Sequence, residues 1–385
     1  MSKNFTQSLL RATRMTSMGR LMGATRLIQK ALLKASAGAN PLSPSGRPSA
    51  FKGTLIGTPN RPKATVATVA TETIAPRQTG PKAQSARDSF EAGQFKFEGK
   101  LYPYRLYLPP PVVKSTDTEQ NTRMPLLVLL HGCTQNAQDF ARGTAMNDVA
   151  GQHHAMVLYP EQISKSNSAR CWNWFEPGHQ QAGRGEPGMI AALTQHVLAT
   201  HPDPLGADPS RVYIAGLSAG GAMAAVVAGL HPEIFAAVGV HSGLAAGAAQ
   251  DMVSAFSAMH SGAKSHAPDK TSALPTIVFH GTADKTVHPD NGEHIISAAV
   301  AALKASGLTL IKTRTTEGEG KGNKGQSAQR TQYSTPDGKS YVEHWLVGGG
   351  PHAWSGGNAA GSYTDPDGPS ASEAMLGFFL QHCKS

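Results

Sequence analysis

Downstream of about residue 88 the chain alternates between dense apolar runs and longer segments with helical spacing. The runs are MPLLVLLHG (124–132), AMVLYP (155–160), RVYIAGLS (211–218), FAAVGVHSG (235–243), PTIVFHGTAD (275–284) and SYVEHWLVGGG (340–350). Apolar residues at nearly every position, rather than every second one, mark strands buried on both faces. Residues 187–200, 219–230, 247–260, 291–306 and 371–383 have the length and composition of helices. Before them, FKFEGKLYPYRLYLPP (95–110) alternates apolar and polar residues across Gly99, the pattern of an opening hairpin. Strands alternating with helices predict an α/β fold: a mostly parallel central sheet flanked by helices after an antiparallel start. Residues 316–328, TEGEGKGNKGQSA, read as a Gly- and Lys-rich loop, and no internal repeat is visible.

The first 87 residues follow a different pattern. Leu10, Met18, Leu21, Met22, Ile28, Leu32 and Leu33 are spaced among Arg11, Arg14, Arg20, Arg26, Lys30 and Lys34 as in a basic amphipathic helix, which Gly19 and Gly23 weaken. Residues 40–87 are rich in Pro, Ser, Thr, Gly and Ala, the composition of a disordered linker. The expected organisation is therefore an N-terminal arm and linker over 1–87 and a catalytic domain over 88–385. Two readings of the arm stand open: a segment contacting a membrane surface or polyanion, or a solvated extension. Arginines interrupt every candidate stretch for the apolar core of a secretory signal, and no run of about 18 apolar residues exists to span a membrane.

Charge sharpens this division. The chain carries +9 overall, yet residues 1–87 hold 14 Lys and Arg against a single acid, Glu72, for +13, whereas residues 88–385 hold 21 against 25, for −4. An acidic body argues against nucleic acid as partner. Three cysteines, Cys133, Cys171 and Cys383, lack the spacing of a metal site and are too few for a disulfide scaffold.

The chemistry converges on three strand ends. Gly216-Leu217-Ser218-Ala219-Gly220 fits GxSxG, a strained strand-to-helix turn that projects its serine at the carboxyl edge of a sheet. A hydroxyl is a poor nucleophile unless a base takes its proton and a third group orients that base. Asp284 follows the run at 275–284 and His352 follows the run at 340–350, in the order Ser, acid, His expected on this fold. Asp269 and Asp290 are rival acids that follow no strand directly. His280 and His344 lie within strand-like runs and read as structural. The oxyanion amides would be those of Ala219 and of Cys133, in the loop after His131-Gly132. Cys133 either bridges to Cys171 or both are buried thiols. Trp172, Trp174 and Trp354 lie close in sequence to these loops, where they either form a binding surface or pack in the core.

Seven motifs in one order, LLHGCTQNAQDFA, YPEQ, CWNWF, GEPGMIAAL, RVYIAGLSAGGAMAAVVAGLHPEIFAAVGVHSG, VFHGTADKTVHPDN and GPHAWSGG, resemble the polyhydroxybutyrate (PHB) depolymerase family of serine esterases, whose relatives include feruloyl and acetylxylan esterases. The resemblance covers about residues 90–385. It implies an α/β-hydrolase fold without metal or cofactor, a triad at Ser218, Asp284 and His352, oxyanion amides at Cys133 and Ala219, and a Cys133–Cys171 disulfide. It also implies polyester or 3-hydroxyalkanoate oligomers as the ester substrate and an extracellular or periplasmic location, with the cytoplasm as the alternative because no signal peptide is evident. No separate substrate-binding domain is seen, which departs from members acting on solid polyester. Feruloyl or acetylxylan ester hydrolysis is the enzymatic alternative. A peptidase would call for an acidic pair or a propeller-like domain, neither of which is evident. A binding module on an inactive hydrolase fold would be favoured by loss of a triad member, and none is lost.

Overall fold

The computed structural model describes residues 89–110, 123–201, 206–262, 272–317 and 325–384. The amphipathic segment and linker expected within 1–87, and Asp269, lie outside the described residues. In chain order the elements are β1 (Ser89–Phe97), β2 (Lys100–Leu108), β3 (Met124–Leu130), α1 (Ala137–Thr144), α2 (Met146–Gln152), β4 (Met156–Pro160), α3 (Gly185–Thr200), β5 (Ala207–Leu217), α4 (Ala219–Leu230) and β6 (Ala237–His241). There follow α5 (Met252–Ser261), β7 (Thr276–Gly281), α6 (Asp290–Ala305), β8 (Ile311–Glu317), β9 (Ala328–Ser334), β10 (Ser340–Val347), β11 (Trp354–Ser355), β12 (Thr364–Asp365) and α7 (Ala371–Phe379).

Ten strands form one sheet in the order β1-β2-β4-β3-β5-β6-β7-β10-β9-β8. Its centre, β4-β3-β5-β6-β7-β10, is parallel, and each edge is antiparallel. The uninterrupted apolar runs follow from burial on both faces. Leu126, Val128, Ile214, Val240 and Val278 point into a core closed by α3, α4, α5 and α6. Their neighbours Leu127, Leu129, Tyr213, Ala215 and Phe279 point into a second core closed by α1, α2 and α7. Alternate side chains thus serve opposite cores, which is why no polar periodicity appears.

The sequence did not predict β8 and β9. The residues IKTRTTE of β8 are almost all exposed at the sheet edge, so neither face requires the apolar residues that reveal a strand. Helix α1 was also not predicted; Asn136 caps it by accepting a hydrogen bond from the Asp139 amide at 2.8 Å. The strand order reverses between β3 and β5, with β4 on one side and the later strands on the other. A crevice opens at the carboxyl ends of strands at such a point.

Candidate active site

Ser218 lies immediately beyond β5 at φ 58° and ψ −120°, a conformation that costs a non-glycine residue of order 1–3 kcal/mol. Its amide donates to the His241 carbonyl at 2.8 Å, and its carbonyl accepts the Ala222 amide at 2.9 Å. A serine in this place for turn chemistry alone would cap α4 with its hydroxyl, and Ser218 makes no such bond. The flanking glycines are required by backbone contact. A Cβ on Gly216 would lie 2.4 Å from the Gly220 carbonyl carbon, and one on Gly220 would lie 2.2 Å from the Leu130 oxygen.

The hydroxyl is instead engaged by His352, whose Nε2 is 2.9 Å from Ser218 Oγ. Nδ1 of the same ring is 2.7 Å from Asp284 Oδ2. A carboxylate accepts only, so Nδ1 carries the proton and Nε2 is left to accept from the serine. The other Asp284 oxygen, Oδ1, accepts the amides of Thr286 at 2.8 Å and Val287 at 2.9 Å. Burial by itself would raise the Asp284 pKa. The close approach of His280, the hydrogen bond from His352 with the charge His352 carries when protonated, and the Val287 amide outweigh it and hold the carboxyl far below the usual carboxylate range. Asp290, the rival acid, is an exposed residue at the start of α6 whose carboxylate is 3.4 Å from His288 instead.

Backbone bonds stitch the acid and histidine loops together. The Thr282 amide donates to Val347 O at 2.9 Å and the Ala283 amide to Gly350 O at 3.0 Å. Gly281 permits this contact, since a Cβ there would lie 2.1 Å from Gly350 O. Two buried histidines brace the surroundings. His280 donates through Nε2 to Val287 O at 2.9 Å and lies 3.5 Å from Asp284 Oδ2. His241 accepts the Ser355 amide at Nε2, 3.0 Å, and stacks on Phe279 and Trp354. Burial, then the charges on His280 and His352, push His241 down to about 3, so the ring is neutral. His344 is buried in β10, with Nδ1 3.4 Å from Glu293.

The loop after β3 abuts this group: a Cβ on Gly132 would lie 3.7 Å from Ser218 Cβ. Cys133 and Cys171 form a disulfide, and the Thr134 amide donates to Ala169 O at 2.7 Å, so the loop is clamped to the 169–171 segment. Cys383 is free and exposed. Among the described residues, the amides of Cys133 and Ala219 have no acceptor within the protein. Below the clamp lies a buried polar cluster. Glu186, near the start of α3, accepts from the Asn173 amide and the Asn173 side chain, both at 2.7 Å, and from Gln162 Nε2. His179 Nδ1 is 3.3 Å from the same carboxylate. Burial would depress His179, but the bond and charge of Glu186, with the charge of Glu176, raise its pKa. Gln162, Asn173 and Glu186 come from YPEQ, CWNWF and GEPGMIAAL, so three separate motifs meet in one network.

The tryptophans correct the expectation of a binding surface. Trp172, Trp174 and Trp354 are 0%, 3% and 1% exposed. Trp172 donates through Nε1 to His131 O and Trp354 to Ser372 Oγ, each at 3.0 Å, and both rings pack in the cores. An indole holds a loop from inside by combining a large apolar face with one donor. Among the described residues the exposed Phe, Tyr or Trp is Tyr363, which no motif singled out. It is 47% exposed at φ 53°, and its hydroxyl is 3.2 Å from Thr134 Oγ1, next to Cys133. Gln135 was missed as well: its side chain bridges the Gly132 amide at 2.9 Å and the Ser362 carbonyl at 3.0 Å. Among the described residues no group of three or more His, Cys, Asp or Glu is placed to hold a metal ion, and no helix is long and apolar enough to cross a membrane.

Comparison with known proteins places this geometry. A family profile described as "Esterase PHB depolymerase" matches residues 102–320, more than half of the chain. The chain is 38% identical to "Poly(3-hydroxyalkanoate) depolymerase C" of Paucimonas lemoignei over 184 residues, 43% of this chain and 42% of that protein. It is 28% identical to "Poly(3-hydroxybutyrate) depolymerase" of Ralstonia pickettii over 72% of this chain and 56% of that protein. It is 32% identical to "Feruloyl esterase B" of Neurospora crassa over 44% of this chain and 61% of that protein. The chain thus spans about half the length of the curated relatives it matches. Among solved structures, "Acetyl xylan esterase from Aspergillus awamori" superposes with a TM-score of 0.51 at 19% identity, covering 73% of this chain and 94% of that one, a likeness of fold.

Proposed function

The chain belongs to the esterase PHB depolymerase family, and from that premise we propose that it is a serine carboxylic-ester hydrolase cleaving 3-hydroxyalkanoate oligomers or polyester through an acyl-enzyme. The observation that carries the reading is the unbroken chain from Ser218 Oγ through His352 to Asp284, at 2.9 and 2.7 Å. Ser218 attacks the ester carbonyl while His352 Nε2 takes its proton and then delivers it to the leaving alkoxide. Asp284, ionised, holds the Nδ1–H tautomer and stabilises the imidazolium. The Cys133 and Ala219 amides receive the oxyanion, each contributing about 3 kcal/mol to the transition state. Water then enters in place of the alcohol, His352 takes its proton, and the acid departs with Ser218 restored.

Relatives named as feruloyl and acetylxylan esterases support a second reading, hydrolysis of plant cell-wall esters by the same triad. The Cys133–Cys171 disulfide supports an extracellular or periplasmic location, where such bridges persist. The +13 charge of residues 1–87 supports a role for this segment, separable from catalysis, in adhering to an anionic membrane or polymer surface. Deleting residues 1–87 is expected to weaken binding to anionic vesicles while soluble-ester hydrolysis persists, and unchanged vesicle binding contradicts that role.

The test of the hydrolase reading is Ser218→Ala on p-nitrophenyl butyrate. Activity is expected to fall to background, and a variant hydrolysing at the wild-type rate ends the reading. Comparing 3-hydroxybutyrate trimer, methyl ferulate and acetylated xylan by kcat/KM assigns the ester class, with the trimer expected to lead.

A further inference from the structure

We infer that His131 is a positioning residue for the oxyanion hole: by holding the Gly132 carbonyl, it aims the Cys133 amide at the crevice. The inference rests on the hydrolase reading above. It begins from where the polar groups of residues 132–134 go. The Gly132 amide donates to Gln135 Oε1 at 2.9 Å. The Gly132 carbonyl lies 2.7 Å from His131 Nδ1 and accepts the Gln135 amide at 3.4 Å. The Cys133 sulfur is bonded to Cys171, and the Thr134 amide donates to Ala169 O. The Cys133 amide is the one backbone donor of this stretch without an acceptor among the described residues.

Its direction follows from covalent geometry. The carbonyl of Gly132 and the N–H of Cys133 belong to one planar trans peptide and point opposite ways. His131 is fully buried, so the carbonyl points inward and the N–H outward, in a loop that abuts Ser218. The ring can play this part in one tautomer only. The Gln162 amide donates to His131 Nε2 at 3.1 Å, so the proton resides on Nδ1 and is donated to Gly132 O. Trp172 secures the same residue from the other side, its Nε1 donating to His131 O at 3.0 Å. Burial, with a smaller contribution from the Arg170 charge, depresses His131 to about 4, and the ring keeps this neutral form through neutral pH. A Cβ on Gly132 would press on the same support, lying 3.1 Å from Gln135 Oε1, and would make an ordinary contact of 3.5 Å with Leu217 O.

The test compares His131→Asn with His131→Gln using butylboronic acid, whose tetrahedral adduct with Ser218 puts an oxygen in the hole. The Asn amide nitrogen stands where Nδ1 stands and restores the donor to Gly132 O. The Gln amide reaches only the Nε2 position. His131→Asn is expected to bind the boronate within about three-fold of wild type, and His131→Gln about 100-fold more weakly. For p-nitrophenyl butyrate, His131→Gln lowers kcat by a similar factor with a smaller change in KM. Either variant decides alone if the other does not fold: a folded Asn variant 100-fold weaker, or a folded Gln variant equal to wild type, overturns the inference. So does a shift in melting temperature with unchanged boronate affinity, the mark of a merely structural residue. Ser218→Ala separates this from the reading beneath it. If that variant binds boronate as wild type does, the hydrolase reading itself falls.

Discussion

The two sides of the crevice are built by opposite means. On the nucleophile side, the side chains of Ser218, His352 and Asp284 form the chain of hydrogen bonds, and backbone contacts between loops hold them in place. On the oxyanion side the proposed working groups are backbone amides, and side chains hold them in place: His131, Gln135 and the Cys133–Cys171 bridge. Replacing a side chain on the first side removes a functional group outright. An amide cannot be removed by substitution, only turned away by loss of what supports it. Effects on the two sides should therefore differ in size and in kind.

The largest contrast is expected at Asp284→Asn. An amide in place of the carboxylate stabilises the wrong His352 tautomer, so kcat should fall about 10⁴-fold. A fall below ten-fold would leave the acid role without an owner, since Asp290 faces His288. Next comes the double variant Cys133→Ala/Cys171→Ala, expected to lose about 2–4 kcal/mol of stability in urea unfolding. A loss in kcat without a loss in stability would show that the bridge orients the amide rather than secures the fold. Trp172→Phe is smaller, because it leaves the buried His131 carbonyl without its donor at a cost of about 1–3 kcal/mol. Since the indole faces inward, KM for a hydroxybutyrate trimer should stay within about two-fold, and a large rise in KM would restore Trp172 to the binding surface.

The smallest effect, counted per histidine and per unit of pH, concerns the two neutral rings that brace the sides, His131 at about 4 and His241 at about 3. Their folded values lie below the ordinary histidine value, so the unfolded chain binds more protons as pH falls. The stability they contribute is complete above about pH 6.5 and is lost as pH falls toward the folded values, at most about 1.4 kcal/mol per unit for each. Urea midpoints measured from pH 7 to pH 5 should show the decline, and a midpoint that rises over that range contradicts burial of neutral rings.

The same contrast explains what could be read from the sequence. The hydrogen-bonded chain of Ser218, His352 and Asp284 was legible because the proposed chemistry is carried by residue type, and the three residues follow apolar runs in order. The central strands were legible because burial on both faces demands uninterrupted apolar residues. Strand β8 was not, since its solvated faces accept the polar residues of IKTRTTE, and β9 was not, since AQRTQYS is half-buried through polar side chains that show no apolar run. Supports such as His131, Gln135 and Glu186 were also hidden, because nothing in local pattern distinguishes a buried polar side chain with partners 13 to 227 residues away from an exposed one. Trp172 and Trp354 misled for the converse reason: nearness in sequence to a site does not say which way a ring points.

The central claim is that Ser218 is the nucleophile, and covalent labelling tests it most directly. Wild-type protein treated with a fluorophosphonate should gain one adduct, mapped to Ser218, in step with loss of p-nitrophenyl butyrate hydrolysis, and Ser218→Ala should gain none. A protein that hydrolyses the ester yet takes its adduct at another residue, or loses no activity when Ser218 is labelled, would contradict the account.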